Sequence, residues 1–469
     1  MIFHPQRLTE GNGTFVLPKT VKAVAHSCLN NPTVREFWKN FSFGTSTVEM
    51  TPCNDYRFSL GSTPALPLDG YAYSIHADEN GICVAAESAQ ALRDGFMVLL
   101  DRFHAIDTED GIAAEVSACE IQDRAWTENR MVHFCIFPET ELLELHRFVR
   151  LCGALNYTHV ILEFWGMLQY DCMKELSWSH GFTKEQVAPI IREAQELGME
   201  VIPMFNHWGH ASACRMAQGK HVVLDQNPAL QTYFSENGWC WDIRKPKVQA
   251  LLRTIRNELI ELCGDGAYFH IGCDEAFGFE LTEENMTYLC DFINGIGDEL
   301  TAHGRRAIIW GDMILYRHAD WNPDNRYSCH SPAPDVEPFM LAHLDRKIVI
   351  ADWQYHAVHA PIETASVFTN AGFDCLLCPW DDGRAQMRAV ITTIKEQNLM
   401  GIMHTTWHTL TKGMPYVLRA AVGESKLDDG SAAAHGDSGN TAALYRKVMP
   451  IHGDYKKAGW SKKQIDCKW

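Results

Sequence analysis

Positive charge is what this chain of 469 residues has least of: 41 Lys and Arg stand against 59 Asp and Glu, for a formal net charge of -18. No basic run interrupts that balance. Nucleic acid and anionic membrane are therefore excluded as expected partners, because each needs clustered cations. Apolar runs long enough to cross a bilayer are missing too. The opening stretch, Met1-Ile-Phe-His-Pro-Gln-Arg7, lacks the basic and then apolar segments of a secretion signal. The Gly-rich phosphate loop that follows the first strand of a dinucleotide-binding sheet is absent as well. The 16 cysteines do not read as a disulfide framework. Several of them (Cys135, Cys152, Cys263, Cys290, Cys375, Cys378) lie in apolar strands or helices, where a free thiol acts as a small hydrophobe. The expectation is a reduced, cytoplasmic protein without a cofactor.

What is present has the composition of an ordinary globular protein, and the length suggests two or three domains. Residues 1–118 read as a small α+β supporting domain. Its clearest signal is a hairpin, with Tyr71–Ile75 and Ile82–Ala86 flanking Asp78-Glu-Asn80-Gly81. A helix with Leu92, Phe96, Leu99, Leu100 and Phe103 on one face follows. Residues 119–426 then alternate strand and helix. The expected strands are Met131–Phe137, His159–Phe164, Glu200–Phe205, Ala267–Gly272, Ala307–Trp310, Lys347–Asp352, Phe373–Pro379 and Gly401–Thr406. Between them lie amphipathic segments such as Pro246 to Cys263, with Pro near its start and Gly264 just past its end. Eight alternations over roughly 290 residues are the count and length of an α/β (β/α)8 TIM barrel. A doubly wound open sheet is the competing architecture. Residues 427–469 read as a polar C-terminal extension, with a loop over 428–440 and a short helical piece after it.

In a barrel of this kind chemistry collects at the C-terminal ends of the strands. The strand-four end is His270-Ile-Gly-Cys-Asp274-Glu275, two adjacent carboxylates at a tip where the chain leaves the sheet. Other ends supply Glu163, Asn206, His207, His210, Asp312, Asp352, Tyr355 and Asp381, with tryptophans at Trp165, Trp310, Trp353, Trp380 and Trp407. Sugar rings present apolar C–H faces and a rim of hydroxyls, so aromatic walls with interleaved polar groups suit a saccharide.

The Asp-Glu block resembles the His-x-Gly-Gly-Asp-Glu signature of the family 20 glycoside hydrolases, the β-N-acetylhexosaminidases. Ile121-Gln-Asp123 followed by Arg130 is similar to the family's approach to strand one, and Val201-Ile-Pro-Met-Phe-Asn206-His-Trp-Gly209-His210 to its strand-three motif. The resemblance implies a retaining exo-acting hydrolase of terminal N-acetylhexosamine, acting on an oligosaccharide or glycoconjugate. In that scheme the substrate's own acetamido oxygen attacks the anomeric carbon. Glu275 would be the general acid/base, protonated at rest, and Asp274, ionised, would orient the acetamido group. Arg130 would grip the sugar. Glu163, Asn206, His210, Trp310, Trp353, Tyr355, Trp380, Asp381 and Trp407 would complete the pocket.

Four positions depart from the family pattern. Asn206 stands where Asp is usual, strand two ends in Glu163-Phe-Trp165 without the acidic pair, Asp381 replaces a Tyr, and the Glu after Trp407 is replaced near Thr409. Three other readings stay open. His207, His210 and Cys214 at HxxHxxxC spacing, with Cys273 beside the acidic pair, could hold a catalytic metal, although strand one offers only His133 where metal-dependent barrel hydrolases usually open with His-x-His. The barrel could bind sugar without turning it over. A sugar lacking the acetamido group could be cleaved with Glu163 or Asp352 as nucleophile. The sequence gives no expectation for oligomeric state.

Overall fold

A computed structural model describes residues 2–212, 221–380, 383–407, 414–423 and 433–449. The first layer is a sheet of eight strands: β1 (Arg7–Val16), β2 (Thr20–His26), β3 (Thr47–Cys53), β4 (Arg57–Gly61), β5 (Tyr73–Asp78), β6 (Gly81–Ala86), β7 (His104–Thr108) and β8 (Gly111–Asp123). They pair in the order β1-β8-β5-β6-β4-β2-β3, with β7 on β8. All neighbours are antiparallel except β2 and β3, which are joined through helix α1 (Pro32–Phe41). Helix α2 (Ala89–Asp101) lies beside α1, and Phe37, Trp38, Phe41, Phe58 and Phe96 are all buried beneath them. Trp38 sits 5.6 Å from Phe58 and 5.1 Å from Phe103 in tilted and edge-on contacts, the geometry aromatic quadrupoles prefer.

The expected hairpin forms, but its turn is held differently. Asp78 pairs with Gly81, and neither Glu79 nor Asn80 has a positive φ. The Asp78 carboxylate closes the turn by accepting the N–H groups of Asn80 (2.8 Å) and Gly81 (3.1 Å). Glycine is needed at 81 for another reason: a Cβ there would lie 2.2 Å from the Leu60 carbonyl oxygen on the neighbouring strand.

The second layer is a closed parallel barrel of β9 (Asn129–Cys135), β10 (His159–Glu163), β11 (Glu200–Met204), β12 (Tyr268–His270), β13 (Arg306–Trp310), β14 (Val349–Trp353), β15 (Asp374–Cys378) and β16 (Gly401–Thr406). Pairing of Gly401 through Thr406 with Asn129 through Phe134 shuts the ring, which rules out the open doubly wound sheet. Inside it Met131, Ile161, Ile202, Met204, Ile308, Trp310, Val349, Ala351, Leu376, Cys378 and Met403 form a separate core, as alternating strand residues must in a filled barrel. Cys375 and Cys378, three apart on β15, fall into different cores, so they cannot meet as a pair.

The surrounding helices are α3 (Leu142–Ala154), α4 (Lys184–Glu196), α5 (Val223–Gln226), α6 (Pro246–Cys263), α7 (Glu283–Ala302), α8 (Val336–His343), α9 (Glu363–Asn370), α10 (Arg384–Gln397) and α11 (Met414–Val422). Helix α4 starts at a capping box, in which Thr183 and Gln186 satisfy each other's backbone N–H groups. Helix α6 buries Val248, Leu252, Ile255, Leu259 and Cys263, and stops at Gly264 with φ of 72°.

Three expectations shift. β8 continues through Asp123, so Ile121-Gln-Asp123 belongs to the first sheet and does not lead into the barrel. β9 starts earlier than expected, which puts Arg130 near the N-terminal end of the barrel. The C-terminal helix α12 (Ala433–Val448) begins inside the stretch read as loop and packs on the body through buried Thr441, Leu444 and Val448.

Candidate active site

The mouth is built around β12, which is only three residues long because the chain turns sharply after it. Gly272 (φ 71°), Cys273 (φ 78°) and Glu275 (φ 43°) all take left-handed backbone. For Cys273 and Glu275 this is an unfavourable conformation that surrounding bonds must hold in place. A Cβ at Gly272 would lie 2.7 Å from the Asn206 side chain, and one at Gly209 would lie 2.0 Å from the Asp274 carbonyl oxygen. The acidic loop and the strand-three loop therefore pack at backbone distance. This contact is why the motif residues of the two loops meet.

Asn206 Nδ2 donates to Asp274 Oδ1 at 2.7 Å. His210, itself at a left-handed φ of 52°, places Nε2 3.1 Å from Glu275 Oε2 and 3.4 Å from Asp274 Oδ2. Asp274 is buried, whereas the Glu275 side chain is 32% exposed, open to whatever enters the mouth. On the far side Asp312, fully buried, accepts three donors. Glu275 N–H (3.0 Å) and His330 Nδ1 (2.9 Å) share Oδ2, and Trp353 Nε1 (3.0 Å) takes Oδ1. Burial pushes the Asp312 carboxyl up, and the bond from His330 pulls it back. Burial alone would lower His330, but the Asp312 carboxylate, then Glu275 and Asp274, hold it above the usual imidazole range. Two imidazoles thus bracket the acidic pair.

The aromatic wall is continuous. Trp380 lies 5.5 Å from Tyr355, Tyr355 5.0 Å from Trp353, and Trp353 5.5 Å from His330. Below them Trp407 donates its indole N–H to the Tyr355 hydroxyl at 2.6 Å, and its ring lies 6.0 Å from Trp310. Glu163 sits on this floor, buried, with Oε2 2.9 Å from His133 Nε2. Trp165, at a left-handed φ of 46°, packs against Phe137 in a tilted contact at 4.5 Å.

The sequence-based site therefore divides. Glu163, Asn206, His210, Asp274, Glu275, Trp310, Trp353, Tyr355, Trp380 and Trp407 gather at the barrel mouth and the floor beneath it. Asp381, Thr409 and Cys214 lie outside the described residues. Arg130 is a correction. Its buried guanidinium pairs with Asp94 at 2.9 Å and donates to the Asn156 and Thr127 carbonyls, at the opposite end of the barrel from Glu275. The strand register decides this, since Arg130 pairs with Ile402 near the start of β16.

Asp352 is a second correction to the nucleophile reading. It accepts from Gln354 Nε2 (2.7 Å) and Thr364 Oγ1 (2.6 Å), turned toward α9, and burial raises it to about 6. His207 points its Nδ1 at the Phe205 carbonyl (2.6 Å) beneath the mouth, so it does not converge with His210. Among the described residues no group of three or more His, Cys, Asp or Glu is arranged to hold a metal ion.

Sequence reasoning missed Trp239 and His330 and gave Asp312 no role. Trp239 packs against His210 in a tilted contact at 4.6 Å and donates its N–H to the Glu275 carbonyl at 2.6 Å. Trp241, two residues on, caps the Asn206 carbonyl at 3.0 Å. The Trp-Cys-Trp spacing in an otherwise polar loop was the available signal.

A closed (β/α)8 barrel with paired carboxylates and an aromatic wall at its mouth is a site suited to holding a sugar ring. Residues 161–382 match the catalytic domain of glycosyl hydrolase family 20. A β-hexosaminidase of Porphyromonas gingivalis is 24% identical over 295 residues, covering 54% of this chain and 37% of that protein. The chain thus aligns with well under half the length of this curated relative. Among solved structures, the exo-β-N-acetylglucosaminidase of Vibrio harveyi superimposes with a TM-score of 0.68 at 14% identity, over 96% of this chain and 77% of that one. The β-N-acetylhexosaminidase of Bacteroides fragilis gives 0.63 at 15%, over 97% and 95%. The enzyme of Streptomyces coelicolor gives 0.64 at 14%, over 95% of each chain. At these identities the superpositions bear on the fold alone.

Proposed function

We propose that this chain removes terminal β-linked N-acetylhexosamine from oligosaccharides or glycoconjugates with retention of configuration, through an oxazolinium intermediate formed by the substrate's acetamido group. The observation that carries this reading is the division of labour between the two adjacent acids. Asp274 is buried and tied by Asn206 and His210, as suits a group that orients an acetamido N–H and offsets developing positive charge. Glu275 is partly open, with His210 Nε2 3.1 Å from its carboxylate, as suits a group that must pass a proton to a leaving oxygen and later take one from water. Because the nucleophile resides in the substrate, attack is intramolecular, and holding the acetamido group supplies much of the rate. The Trp310, Trp407, Tyr355 and Trp380 surfaces would enclose the sugar and its methyl group. A reducing intracellular compartment is part of the same proposal, in keeping with buried thiols such as Cys152 and Cys263 used as packing groups.

The test is release of p-nitrophenol from β-N-acetylglucosaminide and β-N-acetylgalactosaminide by wild type, Glu275→Gln and Asp274→Asn. Loss of about two or more orders of magnitude in kcat for both variants is expected. An azide-rescued Glu275→Gln enzyme that gives an inverted product would refute substrate assistance. Equal kcat on a 2-hydroxy sugar would refute the role of Asp274.

A further inference from the structure

We propose that His330 is a positioning residue for Glu275, acting through Asp312; the inference rests on the reading of Glu275 as the proton-transfer group. Glu275 carries a Cβ on left-handed backbone, so its direction depends on what grips its peptide groups. Two contacts from outside its own loop do so. The Asp312 carboxylate takes the Glu275 N–H at 3.0 Å, and the Trp239 indole N–H takes the Glu275 carbonyl at 2.6 Å. The Asp312 oxygen that accepts Glu275 N–H is the one that His330 Nδ1 reaches at 2.9 Å. The imidazole is anchored by its own backbone, whose N–H donates to the Asp312 carbonyl at 2.8 Å. Its ring is held between Phe277 (5.4 Å) and Trp353 (5.5 Å).

A fully buried carboxylate accepting two donors on one oxygen stays ionised, and stays put, only while it is well paired. Removing the imidazole leaves Asp312 with two neutral donors in a dry site. It would then draw a proton or turn, and either releases the Glu275 N–H. The charged groups that bear on His330 are Asp312, Glu275 and Asp274, all carboxylates, and each favours the protonated imidazole. His210 serves the opposite side by contacting Glu275 Oε2 directly. His330 acts on the backbone and His210 on the side chain.

The experiment compares His330→Phe, which keeps the ring contacts and deletes the donor, with His330→Asn, whose amide nitrogen can occupy the Nδ1 position. Steady-state kinetics on p-nitrophenyl β-N-acetylglucosaminide across pH are paired with hydrogen exchange of the segment 271–277. For His330→Phe we expect kcat to fall about ten-fold or more, KM to stay within about two-fold, and the segment to exchange faster. His330→Asn should recover kcat to within about three-fold near neutrality and alter the pH profile, since its donor does not titrate. A Phe variant with wild-type kcat and exchange, an Asn variant as damaged as Phe, or a loss confined to KM would overturn the proposal. If wild type hydrolyses no N-acetylhexosaminide, the functional reading fails, while unchanged or accelerated exchange still decides whether His330 holds Glu275.

Discussion

Replacing Arg130 by Met separates the two places this residue could act. Its guanidinium is 3% exposed and pairs with Asp94, 8% exposed, while Nε and Nη1 hold the Asn156 and Thr127 carbonyls. The pair joins α2 of the first domain to the base of the barrel. Methionine fills most of the volume but leaves the Asp94 carboxylate buried without its cation, a change that costs about 3–5 kcal/mol. An unfolding entropy of roughly 2.1 cal/mol/K per residue over 469 residues gives about 1 kcal/mol/K, so Tm should fall by about 3–5 °C. The loss should depend on pH. Burial raises the Asp94 carboxyl even with Arg130 pulling it down, and removing Arg130 removes that pull. A raised folded-state value means stability is fully present below the unfolded value and lost as pH rises through the folded one. The deficit of Arg130→Met should therefore be largest at neutral and alkaline pH and shrink in acid as Asp94 protonates. Melts by circular dichroism at several pH values, with KM measured alongside, make the assay. An unchanged Tm with KM raised ten-fold would refute the assignment and return Arg130 to the sugar.

Three further outcomes follow from the same structure. Asn206→Asp replaces a donor 2.7 Å from Asp274 with a second carboxylate, so kcat/KM should drop at neutral pH and partly recover in acid as the pair shares a proton; a flat pH response would count against it. Asp352, raised to about 6 by burial, contributes stability that is present below its unfolded value near 4 and lost as pH climbs through about 6. Asp352→Asn should remove that slope and gain up to about 3 kcal/mol at pH 8 by urea unfolding; a larger loss at pH 8 than at pH 5 would contradict it. His404 is held down to about 3 by burial and by His133, and both of its ring nitrogens lack a hydrogen-bond partner among the described residues. Stability is therefore lost as pH falls from about 6.5 toward 3, and His404→Leu should make the acid limb of the stability curve shallower without lowering Tm at pH 7.

The barrel was legible because its signals are local and repeated. Short apolar strand runs, and the Pro at the start and Gly past the end of α6, each specify their own element. Eight such alternations leave few closed arrangements. The acidic tip was legible for the same reason: Asp274 and Glu275 are neighbours in sequence, and a strand end delivers neighbours to one place. Arg130 was not, because its side depends on register. Whether a strand begins at residue 129 or 131 decides which end of the barrel an early residue faces, and apolar periodicity fixes the faces of a strand more tightly than its ends.

Asp312, His330 and Trp239 show a different limit. Asp312 and Trp239 grip the Glu275 backbone and His330 grips Asp312, and none of the three carries a motif for doing so. The need for such grips follows from the left-handed turn at Gly272, Cys273 and Glu275, which exists because Asn206 and Gly209 approach the acidic loop at contact distance. A sequence reader sees a Gly before an acidic pair and can infer a turn, but not that two non-glycine residues share its conformation. Once the turn is known, the remaining residues can be found by asking which buried donors and acceptors would hold it. That search leads from Glu275 N–H to Asp312 and from Asp312 to His330. It also predicts that substitutions at these positions will be read in catalysis before they are read in stability, because the strain they restrain lies at the proposed proton-transfer group and outside the core that holds the barrel together.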